Sequence, residues 1–315
     1  MPVVAFKCPK CQRRVEFEDA VSHFSRTCPV GPSMYGPSVQ ALLNSVGDER
    51  RGLGAGVSAS MSSPTVCCRR QVVMERTLPF ELDPRVLMDA EEGTIFHKAF
   101  HDRAAGLAEF DVEVVLPNMT HEGRPGVRWN ELGFWQLELW PGVWWSGVAD
   151  LLSKDRTLLD DLKTKRPSAT IYPPGEDNKA QLFTLCLAIE RLEGKQVQEA
   201  RIWQYQRGCY EKEKQQTPFV IARRGDPSKP FWTEQQLRQH CEEHLRTTSQ
   251  WLDRAERIVR EHGAGSPQLE ELIAEVPMDG WTRKMFYSRK TDEIQKCTRY
   301  CSVRDLCMER AGVRL

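Results

Sequence analysis

Apolar and polar residues alternate through residues 143–165, VWWSGVADLLSKDRTLLDDLKTK, with a polar break at Ser153-Lys154-Asp155-Arg156. Two period-two runs around such a break predict a β-hairpin. Folded about that loop, Asp150 lies opposite Leu159 and Asp161 opposite Val148. Asp150 and Asp161 then become same-face diagonal neighbours, roughly 7–8 Å apart at their roots. Lys163, two residues after Asp161, points the same way, and Asp160 faces away. Residues 110–116 and 134–140 also alternate and predict strands leading into the hairpin. Residues 176–193 form an apolar helix closed by Gly194, followed by strands over 197–207 and 219–223.

Residues 233–262 carry Leu237, Cys241, Leu245, Leu252, Ala255 and Val259 at steps of three or four, which predicts a long helix. His240 and His244, with Cys241 between them, are read as part of its solvated face. Residues 94–107, TIFHKAFHDRAAGL, also have helical apolar spacing. His97 and His101 fall one turn apart there, and His101 is read as a packed or surface residue. Strands interleaved with helices predict an α/β fold with a central mixed sheet flanked by helices.

At 315 residues the chain has room for one elaborated domain or two smaller ones. Its 44 basic residues balance its 44 acidic ones. Residues 281–315 hold nine Lys/Arg against four Asp/Glu, so basic charge gathers at the end of the chain. No run of 18 apolar residues and no signal-peptide pattern is present, which points to an intracellular, cytoplasmic protein without a membrane partner. Eleven cysteines in a reducing compartment are better explained by metal than by disulfides.

Three clusters carry chemistry. Asp150, Asp161 and Lys163 suit phosphodiester hydrolysis, with carboxylates holding Mg²⁺ or Mn²⁺ and an ammonium beside them. Water, not a side chain, is the expected nucleophile. A D-x-K triplet alone is common by chance and equally describes a solvated hairpin. Cys8, Cys11, His23 and Cys28 have zinc-finger spacing and predict a Zn²⁺ site over residues 1–30. Residues 31–57 are rich in Gly, Pro and Ser and read as a linker, with the larger domain over 58–315. Cys297, Cys301 and Cys307 lack a local fourth thiol, which could be Cys67 or Cys68. Four thiolates suit a [4Fe–4S] cluster or zinc.

Gly147-x-x-Asp150 followed by a strand ending Asp161-x-Lys163 resembles the core of the PD-(D/E)XK nucleases, and more narrowly their RecB-like branch. That branch has a histidine on a preceding helix and a glutamine on a following one. Gly93-Thr94-Ile95-Phe96-His97 and Gln181 in KAQLFTLCLAIE match these, while Leu185 stands where the branch often has tyrosine. Cys68-Arg69-Arg70-Gln71 is similar to the C-x-R-Q of iron–sulfur RecB-like exonucleases, including CRISPR-associated members and their phage relatives. One cysteine precedes the histidine helix in those proteins and three close the chain.

The resemblance covers roughly residues 58–310 and leaves the finger outside it. It selects Cys68 as partner of Cys297, Cys301 and Cys307 and favours a [4Fe–4S] cluster. It implies a restriction-endonuclease-like core with His97, Asp150 and Asp161 as ligands of Mg²⁺ or Mn²⁺. Lys163 would assist the attacking water, and Gln181 would position substrate or lysine. The implied function is an exonuclease acting on single-stranded DNA ends, with DNA-processing proteins as possible partners. Two other classes fit the same residues: a DNA-end-binding module that does not cut, and a zinc-finger adaptor whose larger domain is scaffold.

Overall fold

A computed structural model describes residues 3–34, 39–40, 43, 57–58, 61, 68–82, 97–102, 105–130, 133–165, 173–206, 216–277, 301, 303 and 306–307. The chain divides into two compact units. One joins residues 1–53, 67–92 and 251–315; the other joins 54–66 and 93–250. No described helix is long and apolar enough to cross a membrane.

The first unit begins with β1 (Val3–Lys7) and β2 (Arg14–Val15), an antiparallel pair that sets Phe6 opposite Val15. Helix α1 (Phe17–Ser22) follows and widens into a π-turn over His23–Thr27. Phe6, Val15, Ala20 and Phe24 are buried together, with the Phe6 ring edge-on to Phe17 at 5.2 Å and to Phe24 at 5.9 Å. This core runs past Cys28: Val39 is buried in it, and Met34 and Leu43 pack against it. Part of the stretch read as linker from its composition therefore belongs to this core. Helix α2 (Arg69–Thr77) leads to a third strand of the same sheet, at Phe80–Leu82, which runs parallel to β1. Arg14, on β2, bonds Glu16 at 2.6 Å and reaches across β1 to Glu81 of the third strand at 3.1 Å.

The second unit is built on an eight-stranded mixed sheet. In chain order the strands are β3 (Val57–Ser58), then, after β4 (the Phe80–Leu82 strand of the first unit), β5 (Phe110–Leu116) and β6 (Val127–Trp129). Next come β7 (Trp135–Trp140), β8 (Val143–Ser153), β9 (Leu158–Lys165), β10 (Glu199–Gln206) and β11 (Gln216–Arg223). The main path runs β11-β10-β9-β8-β7-β6, with β3 and β5 also paired to β8. The β9–β10 and β3–β8 pairs are parallel and the rest antiparallel. Parallel neighbours need a crossover connection, usually a helix, and between β9 and β10 it contains α4 (Glu176–Glu193). Gly194 closes α4 with φ +69, a left-handed cap that glycine adopts without steric cost.

Residues 97–102 are helical and form α3. The long C-terminal helix expected over 233–262 is real but segmented. A capped turn at Glu234–Leu237 passes through a π-turn at Arg238–Glu242 into α5 (Glu243–His262), and α6 (Pro267–Glu275) follows in the first unit. Cys241 is buried with the apolar stripe, but His244 is buried too, not solvated, and the His240 ring lies 5.0 Å from the Trp232 ring. The reading of this face as solvated is corrected. Both positions lie beside Leu237 and Leu245 on the helix surface, so a broad buried stripe takes in the neighbouring polar side chains.

Helix α4 reaches the sheet where β8 has no side chain. A methyl at Gly147 would meet Cη2 and Cζ2 of Trp145 at 2.5 Å and Cδ2 of Leu185 at 3.2 Å. Trp145 and Leu185 are fully buried and have nowhere to retreat. Gly147→Ala is therefore expected to destabilise the protein by about 1–3 kcal/mol through overpacking. Thermal melting of the full chain checks this, and an unchanged midpoint would mean that the Trp145 ring sits elsewhere.

Candidate metal and active site

The hairpin forms with a register two residues away from the expected one. Leu151 pairs with Asp160 and Leu152 with Leu159. The cause is the turn. The Asp155 carboxylate accepts from Ser153 Oγ at 2.6 Å, from Thr157 N at 3.0 Å and from Thr157 Oγ1 at 2.8 Å. Ser153 Oγ in turn accepts from Leu158 N at 2.8 Å, and Arg156 takes a left-handed φ of +69. The turn thus consumes Thr157 as well. A shift of two keeps every side chain on its face but changes its neighbour. Asp150 is now directly across from Asp161 instead of diagonal to it.

The ladder stops there. Leu162 N–H donates to Asp150 Oδ2 at 2.6 Å, so a side chain takes the place of a backbone acceptor. From this point β9 continues along β10, with Asp161 level with Ile202 and Lys163 level with Gln204. β8 instead runs on beside β5, where Glu113 falls between the pairs Val112–Leu151 and Val114–Ala149 and is level with Asp150.

Five of the expected residues gather at this fork. His97 Nδ1 lies 3.4 Å from Asp150 Oδ1. Lys163 Nζ donates to Asp161 Oδ1 at 3.1 Å and to Gln181 Oε1 at 3.1 Å. It lies 2.8 Å from Asp161 Oδ2, yet that buried oxygen receives no well-directed hydrogen bond. Asp160 points elsewhere and is held by Arg201 through two bonds of 2.6 Å.

The two central carboxyls are driven in opposite directions. Burial pushes Asp150 up, but the His97 ring, the Leu162 N–H and the Lys163 ammonium outweigh it and hold Asp150 below the usual carboxylate range. Burial pushes Asp161 above that range, with the charge of Asp150 adding to it and Lys163 only partly opposing it. An extra positive charge at the fork would settle both carboxylates in the ionised form.

Sequence reasoning passed over His101. Its ring is buried, and its Nε2, 3.8 Å from Asp150 Oδ1, has no hydrogen-bond partner. His97, His101 and Asp150 each offer a donor atom within 4.8 Å of the others. The H-x3-H spacing of His97 and His101 is the signal for it in the sequence, a weak one because a helical histidine is usually a packing residue.

Cys8, Cys11, His23 and Cys28 make a second such set. Cys8 Sγ is 3.8 Å from Cys28 Sγ, and Cys11 Sγ is 3.4 Å from His23 Nε2. Tetrahedral ligands at ~2.3 Å for sulfur and ~2.0 Å for nitrogen would stand about 3.5–3.8 Å apart, so these donors can hold a metal. Burial raises the Cys8 thiol, but hydrogen bonds from the Cys11 and Lys10 backbone, with His23 and Cys11 side chains, bring it down to about 6. A thiolate is thus ready at neutral pH, while Cys11 is raised by burial and by its sulfur neighbours.

The remaining cysteines are seen only in part. Cys68 is the N-cap residue of α2, and its carbonyl accepts from Val72 N at 3.0 Å. Cys301 and Cys307 are described, whereas Cys67 and Cys297 lie outside the described residues. Among the described residues, Cys68, Cys301 and Cys307 do not form a set of donors within 4.8 Å.

No protein-family model matches the chain, and no curated protein matches it. Among solved structures, SSO0001 is similar at a TM-score of 0.37 and 14% identity, over 66% of this chain and 82% of that one. An alkaline exonuclease (LHK-Exo) from Laribacter hongkongensis is similar at a TM-score of 0.36 and 13% identity, over 67% of this chain and 94% of that one.

The N-terminal donor set generates a direct test. Co²⁺ added to the metal-free chain should give thiolate-to-cobalt absorption and the visible bands of a tetrahedral ion, and Cys8→Ser should lose most of that intensity. Equal spectra from the parent and Cys8→Ser would show that Cys8 is not a ligand.

Proposed function

We propose that the chain is a metal-dependent deoxyribonuclease that hydrolyses phosphodiester bonds at single-stranded DNA ends. The observation that carries the reading is the fork between β8 and β9, where Asp150, Asp161, Lys163, Gln181 and His97 meet. The buried Oδ2 of Asp161, which has the Lys163 ammonium at 2.8 Å but no well-directed hydrogen bond, and the carboxylate of Asp150 offer oxygen donors for a divalent cation. His97, Asp150 and Asp161 would hold Mg²⁺ or Mn²⁺, which when bound polarises a phosphate and lowers the pKa of water.

The protein groups have separate tasks. Lys163 has three ammonium protons. Asp161 and Gln181 engage two of them, which leaves one for a phosphate oxygen or for the attacking water. Gln181 fixes the ammonium from α4, so its position does not depend on the substrate. Charge placed in advance stabilises the negative charge that builds on the phosphoryl oxygens. His97 sits against Asp150 and orients its outer oxygen.

The same reading extends to the other cofactors. Cys8, Cys11, His23 and Cys28 would bind Zn²⁺ as a C2HC finger over residues 1–30, with Met34, Val39 and Leu43 of the following stretch packed into its core. Cys68, Cys297, Cys301 and Cys307 would hold a [4Fe–4S] cluster in a nuclease domain over 58–315. This is the arrangement of the RecB-like branch of PD-(D/E)XK nucleases that the sequence resembles, in a cytoplasmic setting with DNA-processing partners.

The test uses end-labelled single- and double-stranded DNA with Mg²⁺ or Mn²⁺. The parent chain should shorten single strands from an end. Lys163→Ala should lower the rate by about 100–1,000-fold, the scale for losing one preorganised charge donor, while DNA binding survives. Asp160→Ala should stay close to the parent and Asp161→Ala should not, because Asp160 is engaged by Arg201. Near-parental cutting by Lys163→Ala would remove the lysine from the mechanism. Tight DNA binding without any cutting in either metal would favour the end-binding module.

The cluster is read by iron. After anaerobic purification, Cys68→Ser should lose iron and the brown absorption, whereas Cys67→Ser should keep both. Adjacent residues point in different directions, so one of them alone can complete the set. Full iron in Cys68→Ser with loss in Cys67→Ser would reverse the assignment.

A further inference from the structure

We infer that His101 is a ligand of the cation at the fork, so that two imidazoles hold it and the site selects a transition ion over Mg²⁺. The inference rests on the nuclease reading above and adds the identity of the metal and of one more ligand.

The geometry is that of a coordination sphere more than of a hydrogen-bond network. From Asp150 Oδ1, His97 Nδ1 stands at 3.4 Å and His101 Nε2 at 3.8 Å. At such lengths a hydrogen bond is weak or absent. Ligands at ~2.1 Å from one cation, however, stand about 3.0–3.4 Å apart at octahedral or tetrahedral angles, and up to ~4.2 Å across the ion. Both histidines approach the same oxygen, and their rings meet at 82° with centroids 5.9 Å apart. Two nitrogens from successive turns of α3 thus converge on one side of Asp150.

Burial separates this arrangement from ordinary packing. His101 is 7% exposed, and its Nε2 has no partner. A buried polar atom is normally satisfied, and this one faces a carboxylate oxygen across a gap of the right size for an ion.

The other ring nitrogen has its own counterpart. Nδ1 of His101 lies 3.9 Å from Glu113 Oε2. Metal-bound histidines commonly give their second N–H to a carboxylate, which fixes the ring and its tautomer. At 3.9 Å no such bond is formed, but Glu113 is the carboxylate that this nitrogen faces. It is level with Asp150 in the β5–β8 pair and has a φ of +52, a left-handed conformation rare for a non-glycine residue within a strand. Strain of this kind persists where the surroundings hold it, and it clusters at functional sites.

Two imidazoles change the metal preference. Mg²⁺ takes oxygen ligands in a near-ideal octahedron and keeps its waters, whereas nitrogen donors favour transition ions. A site with His97 and His101 beside Asp150 and Asp161 should therefore take Mn²⁺ over Mg²⁺.

The experiment is pulsed EPR of Mn²⁺ bound to the full chain carrying one equivalent of Zn²⁺ on the four N-terminal donors, with any further Zn²⁺ removed beforehand, so that neither His23 nor a tighter-binding ion at the fork contributes. The parent should show Mn²⁺ coupled to two histidine nitrogens, and His101→Ala and His97→Ala should each show one. His101→Ala should also weaken Mn²⁺ binding by about 10–100-fold, the loss seen for even an outer partner of a metal site, and should change Mg²⁺ binding little. If His101→Ala does not fold, His97→Ala decides: one remaining nitrogen supports the assignment and none overturns it. A single nitrogen in a parent chain that still cuts DNA overturns the role of His101 and leaves the nuclease reading standing. A parent chain that neither binds Mn²⁺ nor cuts DNA overturns both.

Discussion

The hydrogen bond from Leu162 N–H to the Asp150 carboxylate is the constraint on which the fork depends. That N–H takes the carboxylate instead of a backbone acceptor, so the β8–β9 ladder ends after Leu151–Asp160, while β9 keeps its pairing with β10 and β8 its pairing with β5. The same bond helps keep a buried carboxylate charged, because an N–H donated to the ionised form favours that form. One contact therefore ends the ladder and, together with His97 and Lys163, favours the charged form of the acid beside it.

What surrounds the fork is rigid. Leu152 and Leu159 form a fully buried pair one step beyond the last paired acid, and Trp145, Gly147 and Leu185 lock β8 to α4 on the other side. The chemistry-bearing side chains stand on strands and helices whose own packing is dense. Such elements hold reacting groups more precisely than loops do. Gln181 shows the consequence: the helix that crosses from β9 to its parallel neighbour β10 also delivers the amide that pins Lys163. The crossover that the sheet's topology demands is thus also the arm that completes the site.

Much of this was legible in the sequence, and the rest was not for definite reasons. Period-two alternation gave the hairpin and the shared face of Asp150, Asp161 and Lys163, because face depends only on parity. The register depends on how many residues the turn absorbs. That was decided by side chains of Ser153, Asp155 and Thr157 bonding locally, which periodicity does not report. His244 was misjudged for one reason. Burial of a helical histidine depends on what packs across from it, and that information lies elsewhere in the chain. Composition likewise marked residues 31–57 as linker, although a Gly-, Pro- and Ser-rich stretch can still lend three apolar side chains to a neighbouring core.

That small core bears on how the N-terminal donors act. Phe6, Val15, Ala20, Phe24 and Val39 are few, and a segment of this size buries too little apolar surface to offset its own conformational entropy. A metal on Cys8, Cys11, His23 and Cys28 would supply what the core lacks, since ligand binding in such units is itself folding free energy. The stabilisation would not stop at the donors. β1 is the middle strand of its sheet, so whatever orders it also orders β4. β4 follows directly on α2, whose N-cap is Cys68 and whose Arg70 bonds the carbonyls of Ala274 and Val276 at the end of α6. Within this unit, order at the four N-terminal donors passes along one hydrogen-bonded sheet and one helix to the cysteine that the iron–sulfur reading needs.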